Sequence, residues 1–228
     1  LNLVGDFGGG GMLLGFGIAC ALVEAQHSGQ GQVVDAAMVE GASLLATMFS
    51  GMLAAKRWRE ERGANILDSG APWYDAYETS DGKHVAVGAI ETKFYEELLE
   101  RLGLSGEALP GQYEMKRWPE LRARFTEVFK SRTREEWCAA FEGSDACFAP
   151  VLTFSEAKRD PHNVARKNFV TIAGVEQPAP APRYSRTPGG VRHAPPERGE
   201  HGRAALADWG FSAGELRKFA ELGLGFRS

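Results

Sequence analysis

The opening stretch LNLVGDFGGGG sets a carboxylate, Asp6, just ahead of four consecutive glycines, Gly8 to Gly11, and then runs into an apolar segment. No other part of the sequence restricts the backbone so tightly. Glycine costs a helix about 1 kcal/mol per residue relative to alanine. A helix that opens on four of them therefore needs bare backbone, and the run predicts that something approaches it closely. Asp6 by itself has an ordinary explanation: a carboxylate at a helix start accepts hydrogen bonds from unpaired N–H groups and suits the helix dipole. Such a cap does not require the glycines.

From Met12 the string MLLGFGIACALVEAQHSG is apolar on nearly every side and ends at Ser28-Gly29, which reads as a buried helix with a glycine stop. After GQGQVV, the stretch DAAMVEGASLLATMFSGMLAAKRW reads as a second helix of about six turns. Asp35 is its expected N-cap, and Lys56, Arg57 and Arg59 lie near its C-terminal end. The period changes after ERGANILDSGAP: WYDAYETSDGKHVAVGAI reads as strand, Asp81-Gly82 turn, strand. Helices are expected near Lys93–Leu102, Pro119–Lys130 and Arg134–Glu142, then an extended-to-helical stretch, CFAPVLTFSEAKRDPH. QPAPAPRYSRTPGG reads as an extended linker, and a last helix as Ala213–Leu222.

The 228 residues suffice for one large domain or two modest ones, and 43% hydrophobic content is ordinary for a globular chain. The 26 basic and 30 acidic residues give a net charge of −4 with no basic stripe, so neither nucleic acid nor an anionic membrane is an expected partner. Cys20, Cys138 and Cys147 are odd in number and form no CxxC pair, which suits buried thiols in a reducing compartment, and no metal site is expected. No signal-peptide pattern is present, and the most apolar stretch, Met12 to Val23, is shorter than a membrane span. A soluble, cytoplasmic protein is expected. The chain starts at Leu1, partway through what reads as a strand-to-helix connection, so a preceding segment is expected too.

NLVGDFGGG, GQGQVVDAAMVEG, LDSGAPWYDAYETSDGKHVAVGAIETKFYEELLERLGL, DPHNVARKNF, PAPAPRYSRTPG and GEHGRAALADWGFSAGELRKFAELG together resemble the C-terminal two-thirds of the α-methylacyl-CoA racemases, within the family III CoA-transferase (CaiB/BaiF-like) group. Several of these stretches are shared with the transferases, while the AIE triplet at residues 89–91 is the racemase-like one. The resemblance implies an α/β fold: part of a large Rossmann-like domain (1–62), a smaller α+β domain (63–182), and a return linker with the C-terminal helix of the large domain (183–228). It further implies an interlocked homodimer with the catalytic cleft between the large domain of one subunit and the small domain of the other. The family's catalytic histidine and most of its CoA-binding surface belong to the segment expected upstream of Leu1.

Moving a proton between the faces of a thioester α-carbon takes a base on each face and donors for the enolate oxygen. Asp6 can be one base, with the backbone N–H groups of its turn as donors and the glycines, Gly8 and Gly9 among them, leaving room for an acyl group. Glu91, between the strand VAVGAI and the helix TKFYEELLERLG, reads from the residues alone as a solvated carboxylate at a helix start; the resemblance implies a partner for the upstream histidine. None of the five histidines present replaces that residue. Met38, Met48 and Met52 fall on one side of the second helix, as core or as a pliable surface for an acyl chain. Leu67, Tyr74 and Ile90 match the family's acyl pocket or serve ordinary packing, and Asn2 orients the Asp6 turn or makes a loop hydrogen bond.

The expected activity is epimerisation of 2-methylacyl-CoA thioesters, in fatty acid metabolism, with CoA as part of the substrate and no separate cofactor. One alternative is CoA transfer between carboxylic acids through an aspartyl-CoA anhydride. Another is a folded, inactive dimerisation module.

Overall fold

The computed structural model describes residues 2–224. The chain groups into two compact units, Leu1–Val151 and Leu152–Ser228.

The first unit begins with a π-helical segment, Leu3–Met12, that continues into α1 (Leu13–Ser28) and stops at Gly29, in the left-handed region at φ 76°. The glycine stop is as expected; the burial is not. No residue of α1 is buried: Val34 packs against Gly17, but Phe16, Leu22 and Val23 are exposed. Together the two segments make one helix of 26 residues that contains an 18-residue stretch with a mean hydropathy of 1.5, long and apolar enough to cross a membrane by length and composition, which corrects the reading that no stretch reaches that length.

The long second helix is two short ones, α2 (Met38–Leu45) and α3 (Thr47–Ala54), and Ala37, not Asp35, stands at the N-cap. The break falls at Ala46, at φ −86° and ψ 6°, beside a bond from the Thr47 hydroxyl to the Leu44 carbonyl at 2.6 Å. Met38 and Met48 are more than half exposed and Met52 is half-buried, so the three methionines form no core among the described residues. Cys20 and Cys147 are likewise exposed and only Cys138 is partly covered; all three are free thiols.

The rest of the unit holds the core. Strands β1 (Tyr74–Glu78) and β2 (His84–Gly88) pair antiparallel with Tyr74 opposite Gly88, joined through the expected Asp81-Gly82 turn with Gly82 at φ 72°. Strand β3 (Phe148–Val151) adds antiparallel to β2, giving the order β1-β2-β3. Helices α4 (Thr92–Leu102), α5 (Trp118–Phe129) and α6 (Arg134–Phe141) follow the apolar periodicity of the sequence, each with one buried face. Pro119 sits in the first turn of α5, and Thr133 with Glu136 closes a capping box on α6. Tyr77 of β1 stacks on Phe129 of α5 at 4.9 Å and donates its hydroxyl to the Pro72 carbonyl at 2.6 Å. Leu216 aside, the buried apolar side chains of the described residues all lie between residues 71 and 146.

The second unit contains α7 (Phe154–Ala157), α8 (Pro161–Ala165), a hairpin of β4 (Phe169–Ile172) and β5 (Val175–Pro178), α9 (Gly202–Asp208) and α10 (Ala213–Glu221). The last helix matches expectation, whereas the hairpin and α9 were not expected. Gln177 and Pro178 of the expected linker belong to β5, and residues 179–201 hold no regular element.

Candidate active site

Asp6 lies half-buried in the first turn of the π-helical segment, where a negative charge is favoured. Its backbone N–H and that of Phe7 both reach the Asn2 carbonyl, at 3.2 and 3.4 Å. Asn2 thus shapes the turn with its main chain, and its side chain makes no capping bond. The Asp6 carboxylate makes no hydrogen bond or ion pair with a described residue, so capping does not account for it. π-Helical turns are rare and frequent at functional sites, which agrees with a special role for this turn.

The glycines have a different explanation from the one expected. Gly9 and Gly10 are buried against α2, Gly9 on the backbone of Gly41 and Ala42, and Gly10 under the Met38 side chain. Gly8 faces Leu45. The close approach that the run predicts is made at Gly9 by the chain's own helix, and this contact alone requires glycine there.

Glu91 stands exposed at the N-cap of α4 in extended conformation, φ −73° and ψ 141°, three residues beyond the end of β2. Its carbonyl accepts from Phe94 and Tyr95, both at 3.0 Å, while its carboxylate caps nothing. Although the Cys147 residue is exposed, partial desolvation pushes its thiol up first, and the carboxylates of Asp145 and Glu91 add to the effect.

Tyr74 and Ile90 are half-buried on the core at the same end of the hairpin as Glu91, the Tyr74 ring lying along Gly88. Leu67 sits half-buried in the loop before β1. That loop is tied by Asp68, whose carboxylate accepts from the Asn65 amide nitrogens (2.8 Å backbone, 2.7 Å side chain), Gly63 N (3.1 Å) and Gly70 N (3.2 Å). Burial works to raise the Asp68 pKa, but these donors outweigh it and hold the carboxyl below its usual range. On the far side of the loop, Arg122 pairs with Asp75 and donates to the carbonyls of Ser69 and Gly70. A cavity of about 730 Å³ between this loop and α5 contains none of the expected site residues.

The expected site residues therefore form two groups, Asn2, Asp6, Gly8, Gly9 and Met38 around the helical turn, and Tyr74, Ile90 and Glu91 at the hairpin end, with Leu67 on the adjoining loop. No group of residues suited to holding a metal ion is present among the described residues.

A mixed helix-and-strand domain carrying these stretches in this order has a family. Residues 2–202 match the model of CoA-transferase family III, and the chain belongs to that family. It is 47% identical over 219 residues to mouse alpha-methylacyl-CoA racemase and 44% identical over 218 residues to the human one, in each case over 95% of this chain and 57% of the relative. The CaiB/baiF CoA-transferase family protein ZK892.4 of Caenorhabditis elegans is 32% identical over 80% of this chain and 52% of its own length. The chain thus spans little more than half the length of these relatives. Among solved structures, a CAIB/BAIF family protein from Brucella suis superposes with a TM-score of 0.68 over 88% of this chain and 54% of that one, at 22% identity, and shares the fold.

Proposed function

We propose that this chain carries part of the active site of an enzyme that epimerises 2-methylacyl-CoA thioesters at the α-carbon. The single observation behind the reading is its identity of 44–47% with racemases over 95% of its length. The Asp6 carboxylate, uncommitted at a helical turn, supports it.

In this reading Asp6 removes or returns the proton on one face, the backbone N–H groups of its turn steady the enolate oxygen, and a histidine from outside this chain serves the other face with Glu91 as its partner. Leu67, Tyr74, Ile90 and Met38 hold the acyl group, Gly8 leaves it space, and CoA enters with the substrate and not as a separate cofactor. The separation of the two residue groups suits a homodimer in which the large domain (1–62 and 183–228) of one subunit meets the small domain (63–182) of another. The apolar helix Leu3–Ser28 then faces protein, not lipid, and the enzyme is cytoplasmic with no nucleic-acid partner. The relatives named for CoA transfer match less closely, at 24–32% identity, and transfer is the second reading.

The test is proton exchange in deuterated water with the full-length protein. Two-base epimerisation places solvent deuterium at the α-carbon of both epimers. CoA passing between acids with the α-carbon untouched, through an intermediate trapped by hydroxylamine, would replace this reading with transfer.

A further inference from the structure

The two peptide groups in front of Glu91 are held by a loop more than twenty residues away in sequence. Strand β2 ends at Gly88, so the carbonyls of Ala89 and Ile90 have left the sheet ladder. The side-chain amide of Gln112 donates to both, at 3.0 and 2.9 Å, which uses both of its hydrogens. The Tyr113 hydroxyl donates to the Ile90 carbonyl as well, at 2.6 Å. Gln112 is buried and is itself fixed from behind: its backbone carbonyl accepts from the indole nitrogens of Trp73 and Trp118, each at 2.9 Å. The Trp73 carbonyl in turn accepts from Ala89 N at 3.0 Å. The hydrogen bonds therefore close a ring from Trp73 to Gln112 to Ala89 and back to Trp73.

Satisfying the Ile90 carbonyl takes one donor, and it has two. Glu91, by contrast, makes no side-chain bond of its own at the cap. The direction of its Cα–Cβ bond follows from the Ile90–Glu91 peptide, whose carbonyl these two donors fix, and from φ −73° at Glu91, which the start of α4 holds. We infer that Gln112 and Tyr113 are positioning residues that aim the Glu91 carboxylate. The inference rests on the role proposed above for Glu91.

The experiment compares Gln112→Met, which keeps the volume and removes both donors, with Tyr113→Phe, which removes one hydroxyl from a residue that is 53% exposed and leaves the core intact. In the full-length protein Gln112→Met should lower kcat for epimerisation by up to about 100-fold, the scale of a displaced catalytic group, with KM little changed. Tyr113→Phe should lower kcat less. Both should move the limb of the kcat pH profile that reports the histidine partnered by Glu91. Trp137→Phe, which removes an equally buried hydrogen bond to the Phe129 carbonyl away from Glu91, should lose stability and leave that profile in place. If Gln112→Met does not fold, Tyr113→Phe decides the matter alone. Variants with the wild-type kcat and pH profile would overturn the inference while leaving the racemase reading standing. A wild-type protein that exchanges no α-proton would overturn both.

Discussion

Gly9 and Gly41 meet backbone to backbone: a Cβ on Gly9 would stand 2.7 Å from the amide nitrogen of Ala42, and one on Gly41 would overlap the Gly9 carbonyl. This crossing joins the Asp6 turn to α2. It accounts for glycine at position 9 of the run.

Gly41→Ala should therefore destabilise the protein although alanine favours a helix by about 1 kcal/mol. Forcing a methyl into a filled contact costs about 1–3 kcal/mol or more. Thermal unfolding should show a lower Tm, by about 2–4 °C for each net kcal/mol in a chain of this size. Gly5→Ala, where an added Cβ meets nothing within 4 Å, is the control and should leave Tm unchanged or slightly raised.

Asp6→Ala should abolish epimerisation with the fold kept, because the carboxylate makes no hydrogen bond with a described residue whose loss would be felt. A group that transfers the proton contributes about 100-fold or more. Circular dichroism alongside the activity assay checks both halves, and near-normal turnover in the folded variant would remove Asp6 from the mechanism.

Glu91→Gln keeps the shape of the cap and removes only the charge. The loss of activity should be smaller than for Asp6→Ala, on the order of tenfold, since the partner of a base is altered and not a base itself. Turnover compared at several pH values reads the change. A loss exceeding that of Asp6→Ala would reverse the two assignments.

The β1–β2 turn carries an acid-sensitive link. The Thr79 hydroxyl, 2.5 Å from the Asp81 carboxylate, lowers the Asp81 pKa from its ordinary 3.8 to about 2, helped by the Arg134 backbone N–H and Lys83. A carboxyl depressed in the folded state contributes stability above pH 3.8 and loses it as the pH falls towards 2. Asp81→Asn should be less stable than wild type near neutrality, and the difference should shrink between pH 4 and pH 2. Urea midpoints measured across that range test it, and a gap that widens on acidification would refute the assignment.

Much of the second half of the first unit was legible because its signals are local. The Asp81-Gly82 turn, the alternation in HVAVG and the apolar faces of α4 to α6 each lie within a few residues, and each element formed where expected. Burial of residues 12–54 was not legible. Apolar periodicity shows that a face wants cover without showing what covers it, and Met38, Met48 and α1 lie exposed among the described residues. The break at Ala46 is one residue long and has no glycine or proline to announce it. Asp6 and Glu91 could be picked out by their motifs, but Gln112 could not, because its meaning lies in carbonyls 22 and 23 residues away in sequence.

Trp73 and Trp118 stand perpendicular, ring centroids 6.2 Å apart, with both N–H groups ending on one carbonyl. Indole emission responds to the hydrogen bonding and polarity around that N–H. Any shift of the Gln112 peptide changes the surroundings of two buried fluorophores together. The segment in front of Glu91 thus carries an intrinsic optical reporter, and ultraviolet emission and near-ultraviolet dichroism can follow its geometry without a label or a substrate.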